Sequence, residues 1–295
     1  MDRYINLKLI QETRSLELNN INYKIISIDG IDYPELDIST TSNAHYDGSY
    51  INSNRADKRT IIIQAEYQFA DIENERDKLL SFFNFKNTGT LVIDYSKRKK
   101  SIQYNISDFK SKIDNVNDKL NFEVELLCTE PYLRDVAESK LDIALWRGAF
   151  HFPLRCNSDN KIIMGVKEPS LIANINNTGD VETGMIIEFR ALGTVKNPSL
   201  FNINTREFIK INTTMTAGEI IRVNTNVGHK SIIKINNDVE TKIMNLLDID
   251  STFLQLAVGD NLFRYNADDG FNFMEVSIYF NPSYLGVWYL WSYMY

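Results

Sequence analysis

The sequence predicts a mainly β protein in two parts, a β-rich N-terminal half with one helix followed by a C-terminal β-sandwich. Runs of alternating apolar and polar residues recur along the chain, as in Met274-Glu275-Val276-Ser277-Ile278-Tyr279-Phe280. A period of two turns one side of a strand to a core and the other to water. A helical stripe of apolar residues stands out only near residues 71–83. The length, 295 residues, is above the size at which a single core usually keeps growing, which favours two domains.

The first clear strand covers residues 61–69, where Ile61, Ile63, Ala65, Tyr67 and Phe69 share one face and Gln64, Glu66 and Gln68 take the other. One side is dry and one is wet. In the helix that follows, Asp71 is placed to offer a side-chain oxygen to the first free amides, and Glu73 and Glu75 sit where the dipole favours negative charge. Ile72, Leu79, Leu80 and Phe83 form its stripe. Thr88-Gly89-Thr90 returns the chain to a strand at 91–94. Ile102, Tyr104 and Ile106 then alternate with polar residues, and Phe122, Val124, Leu126 and Cys128 do so again after a polar turn at 114–119. Between Asp29 and Arg59 the alternation gives way to Asp, Ser, Thr, Asn, Gly and Tyr. Long irregular segments in compact domains usually bind something or are ordered by a partner. Residues 39–57, with Tyr46 and Tyr50, therefore read either as an arm reaching a neighbouring subunit or as a surface loop.

Residues 136–170 form a connection restricted by Pro153 and Pro169, with Leu145, Trp146, Phe150, Phe152 and Leu154 as apolar anchors, so a docked linker is expected between a domain at 1–135 and one at 171–287. The second domain shows short alternating segments at 171–175, 185–190, 208–211, 219–223 and 231–235, separated by turn formers such as Asn177-Thr178-Gly179-Asp180 and Asn197-Pro198. Such spacing favours a sandwich over βαβ units. Residues 254–258 and 262–265 flank Gly259-Asp260-Asn261 as a predicted hairpin, and residues 274–280 add a strand. An extension at 288–295, Trp-Tyr-Leu-Trp-Ser-Tyr-Met-Tyr, is dense enough in aromatics to need covering. Trp288 and Trp291 are read as part of a final strand, a protein anchor or a sugar-stacking platform.

Catalytic signatures are missing from the sequence. His45, His151 and His229 have no zinc-site spacing, and no nucleophile elbow, Walker loop or dinucleotide fingerprint occurs. Glu123 and Glu125 share the wet side of one strand, and Asp248, Asp250, Asp268 and Asp269 lack calcium-loop spacing. No enzymatic activity, cofactor or metal is expected. Cys128 and Cys156 are read as reduced thiols. Apolar clusters stop well short of the roughly 20 residues that span a bilayer, and Met1-Asp2-Arg3-Tyr4 does not open a signal peptide, so a non-exported chain without a membrane partner is expected. Lys97, Arg98, Lys99 and Lys100 are the one dense charge run, at the expected tip between strands 91–95 and 102–106. They read as a candidate interface or as a solvated, paired loop, because a net charge of −7 speaks against nucleic-acid binding.

Several stretches are similar to one known family. Thr252-Phe253-Leu254, Leu256 to Asn261 with Tyr265, Val276 to Tyr279, and Tyr284-Leu285-Gly286-Val287 resemble the C-terminal domain of phage distal tail proteins. Glu125-Leu126-Leu127-Cys128-Thr129-Glu130-Pro131-Tyr132 resembles the strand that closes that family's N-terminal domain, and Phe150-His151-Phe152-Pro153 its interdomain connection. The aromatic extension departs from the pattern, which ends near Val287. The resemblance implies an N-terminal domain that oligomerises as a ring, six subunits in the family, and a galectin-like C-terminal sandwich pointing outward. It implies a structural hub in the virion tail, assembled in the bacterial host cytoplasm, with the tail tube protein, a tail tip or baseplate hub protein and receptor-binding proteins as partners. In that setting the 97–100 run would meet an acidic ring of an adjoining component. The alternative is a carbohydrate-binding module for host cell-wall polysaccharide, because jelly-roll and galectin-like sandwiches often hold sugars on a concave face.

Overall fold

A computed structural model of the chain describes residues 4–43, 45, 47–69, 71–96, 98–112, 119–143, 146–148, 165–167 and 172–287. The chain divides into two compact units, Met1–Val136 with Ser283–Tyr295, and Ala137–Pro282. This division differs from the expected boundaries: residues 137–143 go with the second unit, and the chain returns to the first at Ser283.

The first unit contains β1 (Ile5–Gln11), β2 (Arg14–Leu18), β3 (Tyr23–Asp29), β4 (Leu36–Ser42), β5 (Ser49–Ala56), β6 (Arg59–Tyr67), α1 (Ile72–Phe82), β7 (Thr88–Tyr95), β8 (Arg98–Lys112), β9 (Asn121–Cys128) and β10 (Leu133–Asp135). Its main sheet runs in the order β2-β1-β7-β8-β9-β6-β3, all antiparallel, with β10 added beside β8. The alternation read from sequence is the inward face: Ile61, Ile63, Ala65, Ile102, Tyr104, Ile106, Phe122, Val124, Leu126 and Cys128 are all buried in one core. Removing such rows of aliphatic and aromatic groups from water is the main force holding the sheet to the helix. Leu79, Phe82 and Phe83 of the helix region join them. Leu80, expected in the stripe, is exposed because Phe82 and Phe83, three and four residues beyond Leu79, occupy the inward side. Asp71 begins α1 without capping a backbone amide, since its carboxylate is taken by the Asn74 side chain at 2.9 and 3.0 Å. Phe69 lies past the end of β6 and is exposed.

The second unit holds β11 (Ser139–Asp142), β12 (Trp146–Gly148), β13 (Gly165–Lys167), β14 (Ile172–Asn177), β15 (Met185–Ala191), β16 (Val195–Asn202), β17 (Phe208–Lys210), β18 (Thr214–Met215), β19 (Ile220–Asn224), β20 (Ser231–Asn236), β21 (Val239–Lys242), β22 (Gly259–Asp269) and β23 (Met274–Phe280). One sheet is ordered β11-β23-β15-β19-β20-β21 and the other β14-β22-β16-β17, with β18 beside β16. Ile187, Phe189, Val223 and Ile278 from the first meet Leu200, Ile209, Phe263 and Tyr265 from the second in a single core, which makes the unit a two-sheet sandwich.

Two elements of this sandwich depart from the sequence reading. Residues 254–258 are not the first arm of a hairpin. Leu254 and Leu256 are buried, which explains the alternation, but among the described residues the segment's one strand-type pairing is the isolated bridge between Leu256 and Thr183. Gly259, Asp260 and Asn261 begin β22, where Asn261 folds its side chain back onto the Ala257 amide (3.0 Å) and carbonyl (2.7 Å). Asn197-Pro198, expected between strands, lies inside β16, with Asn197 at a φ of 51° and Pro198 paired with Ala267. Among described linker residues, Ser139–Asp142 form a strand paired with β23. After Pro282 the chain re-enters the first unit as β24 (Ser283–Tyr284), antiparallel to β10.

Candidate interaction site

Strands β4 and β5 form a two-stranded sheet of their own, so residues 29–59 are more regular than their composition suggests. Every residue of β4, and all of β5 but Ala56, is exposed. An isolated two-stranded hairpin is at best marginally stable in water. The register gives this one two unlike faces. Leu36 pairs with Ala56, Ile38 with Asn54 and, past a bulge after Ser39, Thr40 with Ile51. Residues directly opposite each other point to the same side. Leu36, Ile38 and Ile51 therefore share one face, and they are 44%, 48% and 66% exposed. The other face carries the Arg55–Asp37 ion pair at 2.7 Å, with Tyr50 opposite Thr41.

The hairpin stands on a rigid root. The Glu35 amide donates to the Lys58 carbonyl at 3.0 Å and the Asp57 amide to the Glu35 carbonyl at 2.9 Å, while the Thr60 hydroxyl reaches the Glu35 carboxylate at 2.7 Å. Below this lies Arg59, completely buried. Its guanidinium donates to the carbonyls of Pro131 (2.7 Å), Gly30 (3.1 Å), Ile31 (3.0 Å) and Leu285. Burial pulls its pKa down, opposed by the nearby Cys128 and Asp32. In return, burial pushes the Cys128 thiol up to about 12, with Arg59 opposing. Cys128 is a free thiol, as expected, and Cys156 is outside the described residues.

The segment after β24 completes this cluster. Val287 lies in the first unit's core. Gly286 runs so close to residue 32 that an added Cβ would sit 2.2 Å from the Asp32 carbonyl oxygen. Tyr284 donates to Asp135 at 3.0 Å, and Lys100, bonded to the same carboxylate at 2.6 Å, stands 3.1 Å from the centre of the Tyr284 ring. Nothing in the local sequence around Arg59 or Gly286 marks this meeting, because its members are separated by more than two hundred residues. The resemblance of Tyr284-Leu285-Gly286-Val287 was the one signal that this segment matters.

The residues singled out from sequence fall in different places. Arg98, Lys99 and Lys100 belong to β8 and not to a loop tip; the reversal is at Ser96, with a φ of 49°. Lys100 is turned inward onto Asp135, and Lys99 approaches Asp94 at 3.9 Å. Tyr50 is on the hairpin and 68% exposed. Tyr46, Lys97, Trp288 and Trp291 lie outside the described residues. Glu123 is held by Gln64 and Lys110 on the sheet's wet face, and Asp248, Asp268 and Asp269 accept bonds from neighbouring side chains or turn amides. Among the described residues no group of three His, Cys, Asp or Glu side chains is arranged to hold a metal, and no helix is long and apolar enough to cross a membrane.

Residues 12–128 match the family model for a phage tail protein RIFT-related domain, and residues 178–284 match that for the siphovirus-type tail component, C-terminal domain. No curated protein matches the chain in sequence. Among solved structures, the crystal structure of the SPP1 Dit (gp 19.1) protein, described as a paradigm of the hub adsorption apparatus in phages infecting Gram-positive bacteria, is similar with a TM-score of 0.66 at 14% identity, covering 95% of this chain and 99% of that one. A chain of the phage P2 baseplate in its activated conformation with calcium aligns at a TM-score of 0.50 and 8% identity, covering 96% and 98%. At these identities the likeness is one of fold.

Proposed function

Because the chain belongs to the siphovirus-type tail component family, the phage distal tail proteins, we propose that it forms a ring, six subunits as the family implies, that joins the tail tube to the tip or baseplate. It is a component of a phage tail hub and adsorption apparatus. The ring surface is built by the first unit, and the hairpin β4–β5 is its arm. The supporting observation is the face of Leu36, Ile38 and Ile51: a two-stranded ribbon with an exposed aliphatic side gains stability when a second copy covers it. The sandwich unit serves as the platform for tip or receptor-binding proteins. Its role is organisational and not enzymatic, with assembly in the cytoplasm of the bacterial host.

The interface assigned from sequence narrows accordingly. Lys100 is used inside the first unit, whereas Tyr50 sits on the arm. Trp288 and Trp291, which follow Val287 in sequence, are kept as an anchor for a tail partner.

Mass measurement in solution tests the reading. The wild-type protein is expected as a discrete multimer, and the double substitution Ile38→Asp with Ile51→Asp as a folded monomer with the wild-type circular dichroism spectrum, because neither side chain belongs to a core. A wild-type monomer retained by host cell-wall polysaccharide would instead favour the carbohydrate-binding module.

A further inference from the structure

Four stretches of the described chain meet at the root of the arm: residues 30–35, residues 57–60, Pro131, whose carbonyl accepts from the Arg59 Nε, and the returning segment at 283–287. Arg59 is the common point. Its fork takes the carbonyls of Gly30 and Ile31 on the way into the hairpin and that of Leu285 in the returning segment, while Arg59 itself follows β5 on the way out. Gly286 lies against Asp32, and Val287 closes the core beside it. Tyr284 with Lys100 and Asp135 fixes the other end of the same segment. A guanidinium is a planar fork of five donors, so the position of one acceptor constrains the others. A fully buried one has no water to replace a missing acceptor.

We propose that residues 283–287 are an assembly latch: by seating against Arg59 and Asp32 they set the root of the β4–β5 arm, so that the ring-forming unit becomes competent only once this returning segment is in place. The inference rests on the ring reading for its consequence, but the latch has a local signature of its own. Since residues 283–287 are made after the whole second unit, an incomplete chain lacks the element that orients its arm. Such chains are thereby kept out of the ring.

The test uses the full-length protein with two substitutions. Gly286→Val places a side chain where the Asp32 carbonyl stands, and Arg59→Lys keeps the charge while losing the fork. Hydrogen exchange is read at the Glu35 and Asp57 amides, which close the hairpin root, and at β15, β19 and β23 of the sandwich. Native mass spectrometry reads the assembly. Both variants are expected to exchange at least tenfold faster at the root, to keep wild-type protection in the sandwich, and to lose at least nine-tenths of the multimer. Wild-type exchange at the root in Arg59→Lys, or a loosened root with the multimer intact, overturns the latch. If Gly286→Val unfolds as a whole, Arg59→Lys decides by the same two readings. If the wild-type protein is itself a monomer, the ring reading fails alone, and the exchange at Glu35 and Asp57 still decides whether the returning segment holds the root.

Discussion

Arg59 shows how much a single side chain can organise when it is buried without a carboxylate bonded to it. Among the described residues its guanidinium makes no ion pair and is instead held by four carbonyls from three separate parts of the first unit. Hydrogen bonds to a charged donor are worth roughly 1.5–3 kcal/mol each, and a buried acceptor left bare costs about as much. Arg59→Met is therefore expected to destabilise the first unit by about 3 kcal/mol or more, measured by urea unfolding; a loss below about 1 kcal/mol would mean that the carbonyls find other donors. The adjoining Cys128 carries a pH signature. Its thiol has an ordinary value of 9.0 and is pushed up to about 12 by burial. A folded-state value above the unfolded one stabilises the fold below pH 9, and that contribution is lost as pH rises toward 12. Between pH 8 and pH 10 the wild-type protein should lose about 1 kcal/mol more stability than Cys128→Ala, at up to ~1.4 kcal/mol per pH unit. Equal slopes would show that the thiol is reached by solvent.

Among the elements, the helix start and the start of β22 make opposite predictions for residues of similar type. Asp71 bonds Asn74 and no backbone amide, so Asp71→Ala should change stability by less than about 0.5 kcal/mol, against the ~1 kcal/mol usual for a working cap. Asn261 is buried and ties the Ala257 amide and carbonyl to the first residues of β22. Asn261→Ala should cost about 2 kcal/mol, read as a shift of the denaturant midpoint. These contrasts also mark what sequence could reveal. Strands such as Arg59–Tyr67 and Met274–Phe280 were legible because their period of two is written in adjacent residues. The segment at 254–258 has the same period, yet burial alone produces it, and only a distant partner distinguishes a strand from an extended, buried connection. Asn197-Pro198 looked like a break because proline lacks an amide proton, whereas a left-handed Asn197 lets β16 continue past it. The hairpin β4–β5 stood out in the sequence only as a departure from pattern. Its two-faced register was not legible, since a bulge past Ser39 brings Ile51 onto the side of Leu36 and Ile38.

At the scale of the whole molecule, the chain makes one unit, builds the second, and comes back to finish the first. Sequence could suggest two domains, but not this return, because β10 and β24 have only three and two residues and carry no periodic signal. The first unit is thus a domain of two segments, and its stability should respond to the chain's end while that of the sandwich does not. Each unit has its own hydrophobic core, so calorimetry should resolve two transitions, assigned by hydrogen exchange in β6 and β9 for one and in β15 and β23 for the other. Removing residues 283–295 takes away the Leu285 carbonyl, the Tyr284 contacts and the buried Val287. Those losses amount to about 3–5 kcal/mol. For a unit of this size that corresponds to a fall of roughly 10 °C or more in the first unit's transition, with the sandwich's within about 2 °C of its wild-type value. Removing only residues 288–295 keeps all of these contacts, and so separates their loss from that of the aromatic run. A matching fall after the shorter deletion would move the stabilising segment beyond Val287 and into the aromatic run. A longer deletion that shifts neither transition would show that the first unit is complete without the chain's return.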